Sequence, residues 1–316
     1  MTRHLAIVGA TASGKSALAL AIAGEVGDAE IVSLDSMQVY RGMDIGTAKP
    51  SPAERAAVPH HLVDVADPSE QWSVRATQEG ARDAIAEIEG RGRRAVLVGG
   101  AGLYVRAVVD ALPVPGTDTE VRAALEAQTA TADGLAGAYR LLCARDRRAA
   151  ARIEPSNRRR IVRALEVIDV TGRPFSSFGE GLTEYGRPAL DVTLVGIALT
   201  RDEVATRIAR RFAAMRDAGL VDEVRVLAAN PGGLSRTARQ AIGYKELLAH
   251  LDGETATLDE ALDLAVRRTR KFARRQRVWF RRDPRITWLP ASGNSCALVQ
   301  ACLARWQPAA RAVPAS

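Results

Sequence analysis

The chain has 316 residues, of which 47% are hydrophobic, and it carries a formal net charge of +7. This composition suits one large domain or a core with a second unit, and no apolar run is long enough to predict a membrane span. The N-terminus has no secretory cleavage pattern, and the three scattered cysteines, Cys143, Cys296 and Cys302, lack zinc-ligand spacing. We therefore expect a cytoplasmic protein without a membrane partner, and the positive charge favours a polyanionic one.

A phosphate-binding loop pattern lies near the N-terminus. The segment GATASGKS matches G-x-x-x-x-G-K-[ST] without a mismatch, after a β-rich run and before a helix-forming run. Backbone N–H groups and the helix N-terminus would surround a phosphate, Lys15 would add a full charge, and the Ser16 hydroxyl is placed to bind Mg²⁺. The predicted phosphate-binding residues are Gly9, Ala10, Thr11, Ala12, Ser13, Gly14, Lys15 and Ser16. The motif indicates a di- or triphosphate but not which bond is broken.

Strands and helices alternate through the first third of the chain. After the strand that precedes the loop, residues 30–40 predict a strand that runs into a polar turn, and residues 60–68 predict a third strand. Residues 72–93 predict an amphipathic helix, and residues 94–109 a buried strand, a glycine-rich turn and a helix. This alternation predicts an α/β fold with a parallel sheet covered by helices on both faces. A phosphate should then lie at the carboxyl ends of the strands.

The pattern changes after residue 112. Residues 113–190 contain Ala- and Arg-rich helical sequence followed by a loop, without a convincing strand, and they predict a helical insertion domain. The α/β core would comprise 1–112 and 191–316. Its second part predicts a strand over 191–200, helices over 203–219, 221–229, 244–253 and 258–280, and a final strand over 285–290.

Three short motifs each allow two interpretations. Asp35, which closes the second predicted strand, could bind Mg²⁺ through water or act as a general base, but a turn-capping aspartate is equally consistent. The glycines of GGAGLY (99–104) allow a ligand to approach the backbone, or a helix to pack closely. The arginines of RRRIVR (158–163) suit bound phosphates or nearby acidic side chains, or a solvated helix face.

The strongest charge cluster lies near the C-terminus. Nine of the sixteen residues from Arg267 to Arg282 are Arg or Lys, and no acidic residue occurs between Asp263 and Asp283. Phe272, Gln276 and Trp279 share one face of the predicted helix, and we interpret the two aromatic residues as core. The basic remainder is typical of a surface that contacts a phosphodiester backbone.

Three function classes are compatible with these motifs. A small-molecule kinase would use the loop for ATP, but it leaves the basic C-terminal helix unexplained. A nucleotide switch should carry a base-reading NKxD, which is missing. A transferase that moves a group from a diphosphate donor to nucleic acid uses both features.

Eight segments, read in order, resemble bacterial tRNA dimethylallyltransferases, the tRNA isopentenyltransferases. They are GATASGKS (9–16), DSMQVYRGMDIGTAKP (35–50), HHLVDV (60–65), VGGAGLYVRA (98–107), RRIVRALEV (159–167), RIARRFAAM (207–215), RQAIGYKEL (239–247) and RRQRVWFRRDPRITWL (274–289). The resemblance covers nearly the whole chain. It implies a P-loop NTPase-like α/β core with a helical insertion domain, acting as a monomer.

The implied reaction uses Mg²⁺ and moves a dimethylallyl group from dimethylallyl diphosphate to N6 of adenosine 37, next to the anticodon. A kinase, or a prenyltransferase of free adenine nucleotides, is the alternative. The resemblance implies that Asp35 is the general base, that Lys15 and Arg211 serve the diphosphate, and that Ala101 replaces a threonine of the family whose hydroxyl lies near the leaving oxygen. A second departure from the family lies just before the arginine segment, where Glu154-Pro155-Ser156-Asn157 replaces a His-Pro-Asn-Asp-like stretch.

The resemblance also places many residues at the tRNA. They are Asp35, Ser36, Met37, Gln38, Ala101, Arg122, Arg159, Arg160, Ile161, Val162, Arg163, Gln240, Ala241, Ile242, Gly243, Tyr244, Lys245, Arg274, Arg275, Gln276, Arg277, Val278, Trp279, Phe280 and Arg281.

Overall fold

A computed structural model describes residues 3–179, 184–255, 257–291 and 295–306 of the chain. Two compact units are present: Leu112–Gly186 forms one, and the chain before and after it forms the other. The predicted insertion had its boundaries at 113 and 190. None of the helices within the described ranges has the length and apolar character needed to cross a bilayer.

A six-stranded parallel sheet forms the larger unit, as the alternation of strands and helices predicted. The strands are β1 (His4–Val8), β2 (Ala29–Ser33), β3 (His60–His61), β4 (Arg94–Gly99), β5 (Val192–Ala198) and β6 (Thr287–Pro290), in the order β3-β2-β4-β1-β5-β6. β1 is central, and its Leu5 is level with Val96 of β4 and Thr193 of β5. The carboxyl end of β1 therefore lies between two neighbours, where α/β proteins bind ligands.

Helices account for most of the remaining chain. The larger unit contains α1 (Lys15–Val26), α2 (Pro52–Ala57), α3 (Val74–Gly90), α4 (Gly102–Val109), and, after the insertion, α9 (Arg201–Asp217), α10 (Leu220–Ala228), α11 (Tyr244–Leu251), α12 (Leu258–Phe280) and α13 (Ser295–Trp306). The insertion contains α5 (Thr119–Gln128), α6 (Ala132–Arg145), α7 (Arg147–Ala150) and α8 (Arg158–Thr171). Helices α2 and α13 were not predicted, although Ser51 and Glu54 form a capping box at α2.

The central strand shows how the sheet acquires two covered faces. Leu5 and Ile7 pack into one apolar layer with α1 and α13, whereas Ala6 and Val8 pack into another with α3 and α4. Successive strand residues point to opposite faces, so a fully apolar strand requires cover on both. A third core lies among α9 to α12, and the insertion has its own.

The prediction of a strand over 60–68 is wrong beyond its second residue. Leu62 and Asp64 have φ values of +61° and +58°, which are incompatible with an extended strand. The Asp64 carboxylate pairs with Lys49 and with Arg55 at 2.6 Å. These ion pairs hold the segment away from the sheet, and only Ala66 forms a further parallel bridge, to Tyr40.

Candidate active site

The phosphate loop connects β1 to α1, and the N-terminus of α1 at its end has no side-chain cap. Gly14, the N-cap residue of α1, has a φ of +94° and offers no side-chain cap, so the first N–H groups of the helix lack an intrahelical or side-chain acceptor. The Ser13 hydroxyl is buried and has no hydrogen-bond partner in the described residues. Unsatisfied donors at a helix N-terminus are the features of an anion site.

A cavity of about 480 Å³ adjoins this loop. Its walls include Lys15 and Ser16 from the start of α1, Asp35 after β2, the segment 47–50, and two arginines of α9. The structure thus brings the predicted Lys15, Ser16, Asp35 and Arg211 to one cavity, although they are widely separated in sequence.

The charged groups in the cavity perturb one another. Burial lowers the pKa of Lys15 to about 8, with Arg211 acting in the same direction and the Asp35 carboxylate opposing it. Burial also lowers the pKa of Arg211, against the effects of Asp35 and Tyr244. An excess of cations in a partly desolvated site favours a multiply charged anion there.

Arg207 is a cavity residue that the sequence analysis did not single out. Its guanidinium donates to the Ser13 carbonyl at 3.2 Å, one turn of α9 before Arg211, which lies 3.4 Å from the Thr11 hydroxyl. The spacing of four residues between the two arginines was the available signal, because such residues share a helix face.

Asp35 makes the contact of a turn-capping residue and also lines the cavity. Its Oδ1 accepts the Met37 N–H at 2.9 Å, as in a turn-capping aspartate. Its Oδ2 makes no hydrogen bond to the described residues, and Asp35 lines the cavity. One carboxylate oxygen therefore orients the group while the other is available to accept a proton.

The side-chain amide of Gln38 is hydrogen-bonded to other groups of the protein. Its Oε1 accepts the Ser33 hydroxyl at 2.9 Å, and its Nε2 donates to the carbonyls of Thr47 and Ala48 at 3.3 and 3.1 Å. Gln38 was predicted at the tRNA together with Ser36 and Met37, which are half-buried. Its contacts instead tie the turn after β2 to the cavity wall.

Helix α12 contacts the phosphate loop through Gln276. The Gln276 Oε1 accepts the Thr11 N–H at 2.8 Å, and the side chain is buried. In this structure the amide faces the loop, and the predicted contact of Gln276 with tRNA stays a prediction. Only long-range packing reveals the contact between Gln276 and Thr11.

The glycines of GGAGLY make room for α12. A Cβ on Gly100 would lie 2.7 Å from the Gln276 Nε2, and one on Gly102 would lie 1.9 Å from the Trp279 ring. The structure therefore supports the packing interpretation at both positions. Ala101 is the N-cap residue of α4 and supplies no side-chain cap.

The outer face of α12 forms a basic groove. It has a volume of about 350 Å³ and is lined by Lys271, Arg274, Arg275, Val278, Trp279 and Arg282. Within the described ranges, none of its cations has a carboxylate partner. Trp279 packs against the core as predicted, whereas Phe272 is half-buried with its ring 5.7 Å from the Arg275 guanidinium.

The arginines of the insertion differ in their roles. Arg122 and Arg163 both pair with the buried Glu166, at 2.7 and 2.9 Å, which fits structural positions. Arg159 and Arg160 are exposed, and their side chains form no ion pair among the described residues. They are the members of this segment that remain available to a phosphate backbone.

Several residues predicted at the tRNA have side chains buried in the protein, and their contact with tRNA stays a prediction. They are Ile161, Val162, Ala241, Tyr244 and Phe280. Each is apolar or aromatic and belongs to a core cluster. In the segment 240–245, Gln240 and Lys245 are exposed and hydrogen-bonded to each other at 3.1 Å, while Ile242 is half-buried and Gly243 has a φ of +100°.

The parallel sheet with a phosphate loop after its central strand defines an α/β protein of the P-loop type. A family model described as IPP transferase matches residues 38–283, and one described as isopentenyl transferase matches residues 2–63. The chain therefore belongs to the IPP transferase family, as the sequence resemblance predicted, and it is a prenyl-transferring enzyme.

Individual relatives agree over nearly the whole chain. A tRNA dimethylallyltransferase of Kineococcus radiotolerans is 50% identical over 298 residues, which cover 92% of each chain. The tRNA isopentenylpyrophosphate transferase of Bacillus halodurans is 39% identical, with a TM-score of 0.68 and coverage of 95% of this chain and 94% of that chain. A eukaryotic dimethylallyltransferase acting on tRNA has a TM-score of 0.73 at 25% identity, covering 92% of this chain and 74% of that one.

Proposed function

We propose that this protein transfers a dimethylallyl group from dimethylallyl diphosphate to N6 of the adenosine next to the anticodon of tRNA. The observation that carries the proposal is a cavity whose lining includes the phosphate loop with Lys15, the arginines Arg207 and Arg211, and Asp35. Such a cavity suits both an anionic leaving group and proton removal from the acceptor. The close similarity to tRNA dimethylallyltransferases supports this assignment.

The phosphate loop and its cations would bind the diphosphate. The open N–H groups at the start of α1, protonated Lys15 and the guanidinium of Arg211 are all directed to one region. Negative charge grows on the leaving diphosphate as the bond from carbon to oxygen breaks. Fixed donors and cations therefore stabilise the transition state more than the ground state.

A magnesium ion fits the residues of the loop. The Ser16 hydroxyl lines the cavity at the start of α1, and the described residues contain no cluster of three His, Cys, Asp or Glu side chains able to hold a metal without a substrate. Mg²⁺ commonly takes one or two protein oxygens and completes its coordination with phosphate oxygens and water. When bound, it would neutralise negative charge on the diphosphate.

Asp35 would accept the proton that the adenine amine loses. As the bond between N6 and the prenyl carbon forms, the bond from that carbon to the diphosphate oxygen breaks, and its electron pair leaves with the diphosphate. The free Oδ2 of Asp35 is the acceptor for the proton, while the Met37 N–H holds Oδ1. General base catalysis of this kind contributes about 10²–10⁴-fold in rate.

The basic groove on α12 favours tRNA over a free nucleotide. Its unpaired cations suit several phosphates of a polynucleotide, which AMP or a kinase substrate does not supply. We propose the groove as the tRNA-contacting surface of the larger unit. Within the insertion, we propose Arg159 and Arg160 as phosphate-contacting residues. We further propose that the protein acts in the cytoplasm as a monomer.

One assay separates these substrates. The protein is incubated with dimethylallyl diphosphate, Mg²⁺ and either an anticodon stem-loop RNA or AMP, and the products are analysed by mass spectrometry. We expect the RNA alone to gain one dimethylallyl group, and Asp35→Asn to remove most of this gain. Modification of AMP alone would reject tRNA as the acceptor. In a parallel reaction that also contains ATP, consumption of ATP without prenyl transfer would indicate a kinase.

A further inference from the structure

Glu223 of α10 binds a backbone segment that leads to the cavity. Its Oε2 accepts the N–H groups of Asp44 at 3.0 Å and Ile45 at 2.7 Å, and its Oε1 accepts the Gly46 N–H at 3.1 Å. The Tyr244 hydroxyl donates to the same Oε1 at 2.5 Å. Four donors use most of the acceptor capacity of one carboxylate, so the backbone of residues 44–46 is fixed in one orientation.

Glu223 and Tyr244 together enclose residues 44–46, and we call this arrangement the clamp. Tyr244 forms the side opposite Glu223. The side chain is fully buried, and burial together with Glu223 raises the pKa of its phenol, which therefore stays a neutral donor. A Cβ on Gly46 would come within 2.4 Å of the Tyr244 ring. The segment thus lies between a carboxylate and an aromatic face, and only glycine fits at its third position.

The residues after the clamp form part of the cavity wall. The carbonyls of Thr47 and Ala48 accept both hydrogen bonds of the Gln38 amide. Lys49, whose side chain is 2% exposed, donates to the Tyr40 carbonyl at 2.7 Å and pairs with Asp44 and Asp64. Residues 47–49, which directly follow the segment that Glu223 holds, are therefore bonded to the turn after β2 and its continuation at Tyr40, and that turn begins with Asp35.

We infer that Glu223 is a positioning residue for the transfer reaction. It lines no part of the cavity. It fixes residues 44–46, which lead directly into the part of the cavity wall at 47–50. Gln38 bonds this wall to the turn that carries Asp35. The inference rests on the proposed function, because it assigns Glu223 to the placement of the proton acceptor.

The connectivity predicts a specific kinetic effect. The phosphate loop is built from β1 and α1 and receives no hydrogen bond from Glu223, so diphosphate affinity should survive its loss. A displacement of about 1 Å at a reacting group costs roughly 10²-fold in rate. We expect Glu223→Ala to slow single-turnover transfer by about a hundredfold, and Glu223→Gln, which keeps one acceptor oxygen, by about tenfold.

The test compares chemistry with diphosphate binding in the same preparations. Single-turnover transfer to a saturating anticodon stem-loop RNA gives the rate, and calorimetric titration with inorganic diphosphate and Mg²⁺ gives both affinity and the active fraction. Hydrogen exchange of residues 44–46 reports the clamp directly. Glu70→Ala is the matched control, because that carboxylate also accepts a backbone N–H, from Asp67 at 2.8 Å, outside the cavity wall.

The expected result is slower chemistry and faster exchange of residues 44–46, with diphosphate affinity within threefold of wild type and no change in Glu70→Ala. A normal rate in Glu223→Gln, or a loss of rate and affinity in equal proportion, overturns the inference. If Glu223→Ala does not fold, Glu223→Gln carries the test. Failure of the proposed function is distinct, because wild-type protein would then transfer no prenyl group.

Discussion

Ala101→Thr should make this enzyme both more stable and faster. Ala101 occupies the N-cap position of α4 in an extended conformation, with φ −93° and ψ +104°, and it supplies no side-chain cap. Threonine suits that backbone, and its hydroxyl oxygen could accept the N–H of Leu103 or Tyr104. A capping hydroxyl still has its own proton to donate, so one group could both cap the helix and contact the leaving oxygen.

The helix cap and the contact with the leaving oxygen should differ in magnitude. Adding a cap contributes about 1 kcal/mol, or roughly 2–4 °C in Tm for a unit of this size. A hydrogen bond to an oxygen that gains charge is worth about 1.5–3 kcal/mol, which corresponds to a ten- to hundredfold rate change. We expect about tenfold, because water can occupy the space beside Ala101 and supply part of the contact.

Thermal unfolding and single-turnover transfer with saturating RNA measure the two effects independently. Ala101→Ser should show both gains, because it keeps the hydroxyl without the methyl group. Ala101→Val should show neither, since it has the shape of threonine without a hydroxyl. A Thr variant that is stabilised but no faster than wild type would refute the leaving-group contact and leave only the cap.

Further predictions concern three sets of charged groups: Lys15, Asp35 and the arginines of the basic groove. Because burial lowers the pKa of Lys15 to about 8, affinity for inorganic diphosphate should fall as pH rises through 8, by up to tenfold per pH unit, as the cation is lost. Lys15→Ala should slow transfer by about a hundredfold or more. Asp35→Asn should slow transfer by about two to four orders of magnitude with RNA affinity within a few-fold, since the amide oxygen still accepts the Met37 N–H. Replacing the groove residues Arg274, Arg275 and Arg282 with Gln should flatten the dependence of log K on log salt for RNA binding by about two to three units.

Each of these predictions has its own control. Lys15→Arg keeps its charge across this pH range, so a pH dependence that persists in that variant would have another origin. For Asp35→Asn, lost RNA binding with normal reaction of the bound RNA would assign Asp35 a structural role. For the arginines, Arg225→Gln removes a surface cation already paired with Asp222, and an unchanged slope in the triple variant would move the RNA surface elsewhere.

Local and periodic features of the sequence were sufficient to predict much of the fold and the phosphate loop. The phosphate loop is eight contiguous residues, so its chemistry is readable without a structure. The parallel sheet followed from alternating apolar runs and amphipathic helices. Capping boxes such as Thr257 with Glu260 mark helix starts because their contacts span only three residues.

Contacts between distant residues were decided only by the tertiary structure. Gln276 bonds to Thr11 across 265 positions, and Glu223 bonds to Ile45 across 178. Neither residue belongs to a periodic pattern that would reveal its partner. The end of β3 at His61 was likewise not evident from the strand-like pattern of the segment, in which Leu62 and Asp64 have positive φ and Asp64 pairs with Lys49. Periodicity reports which face of an element is buried, whereas the partner of a buried polar group depends on where all the other elements pack.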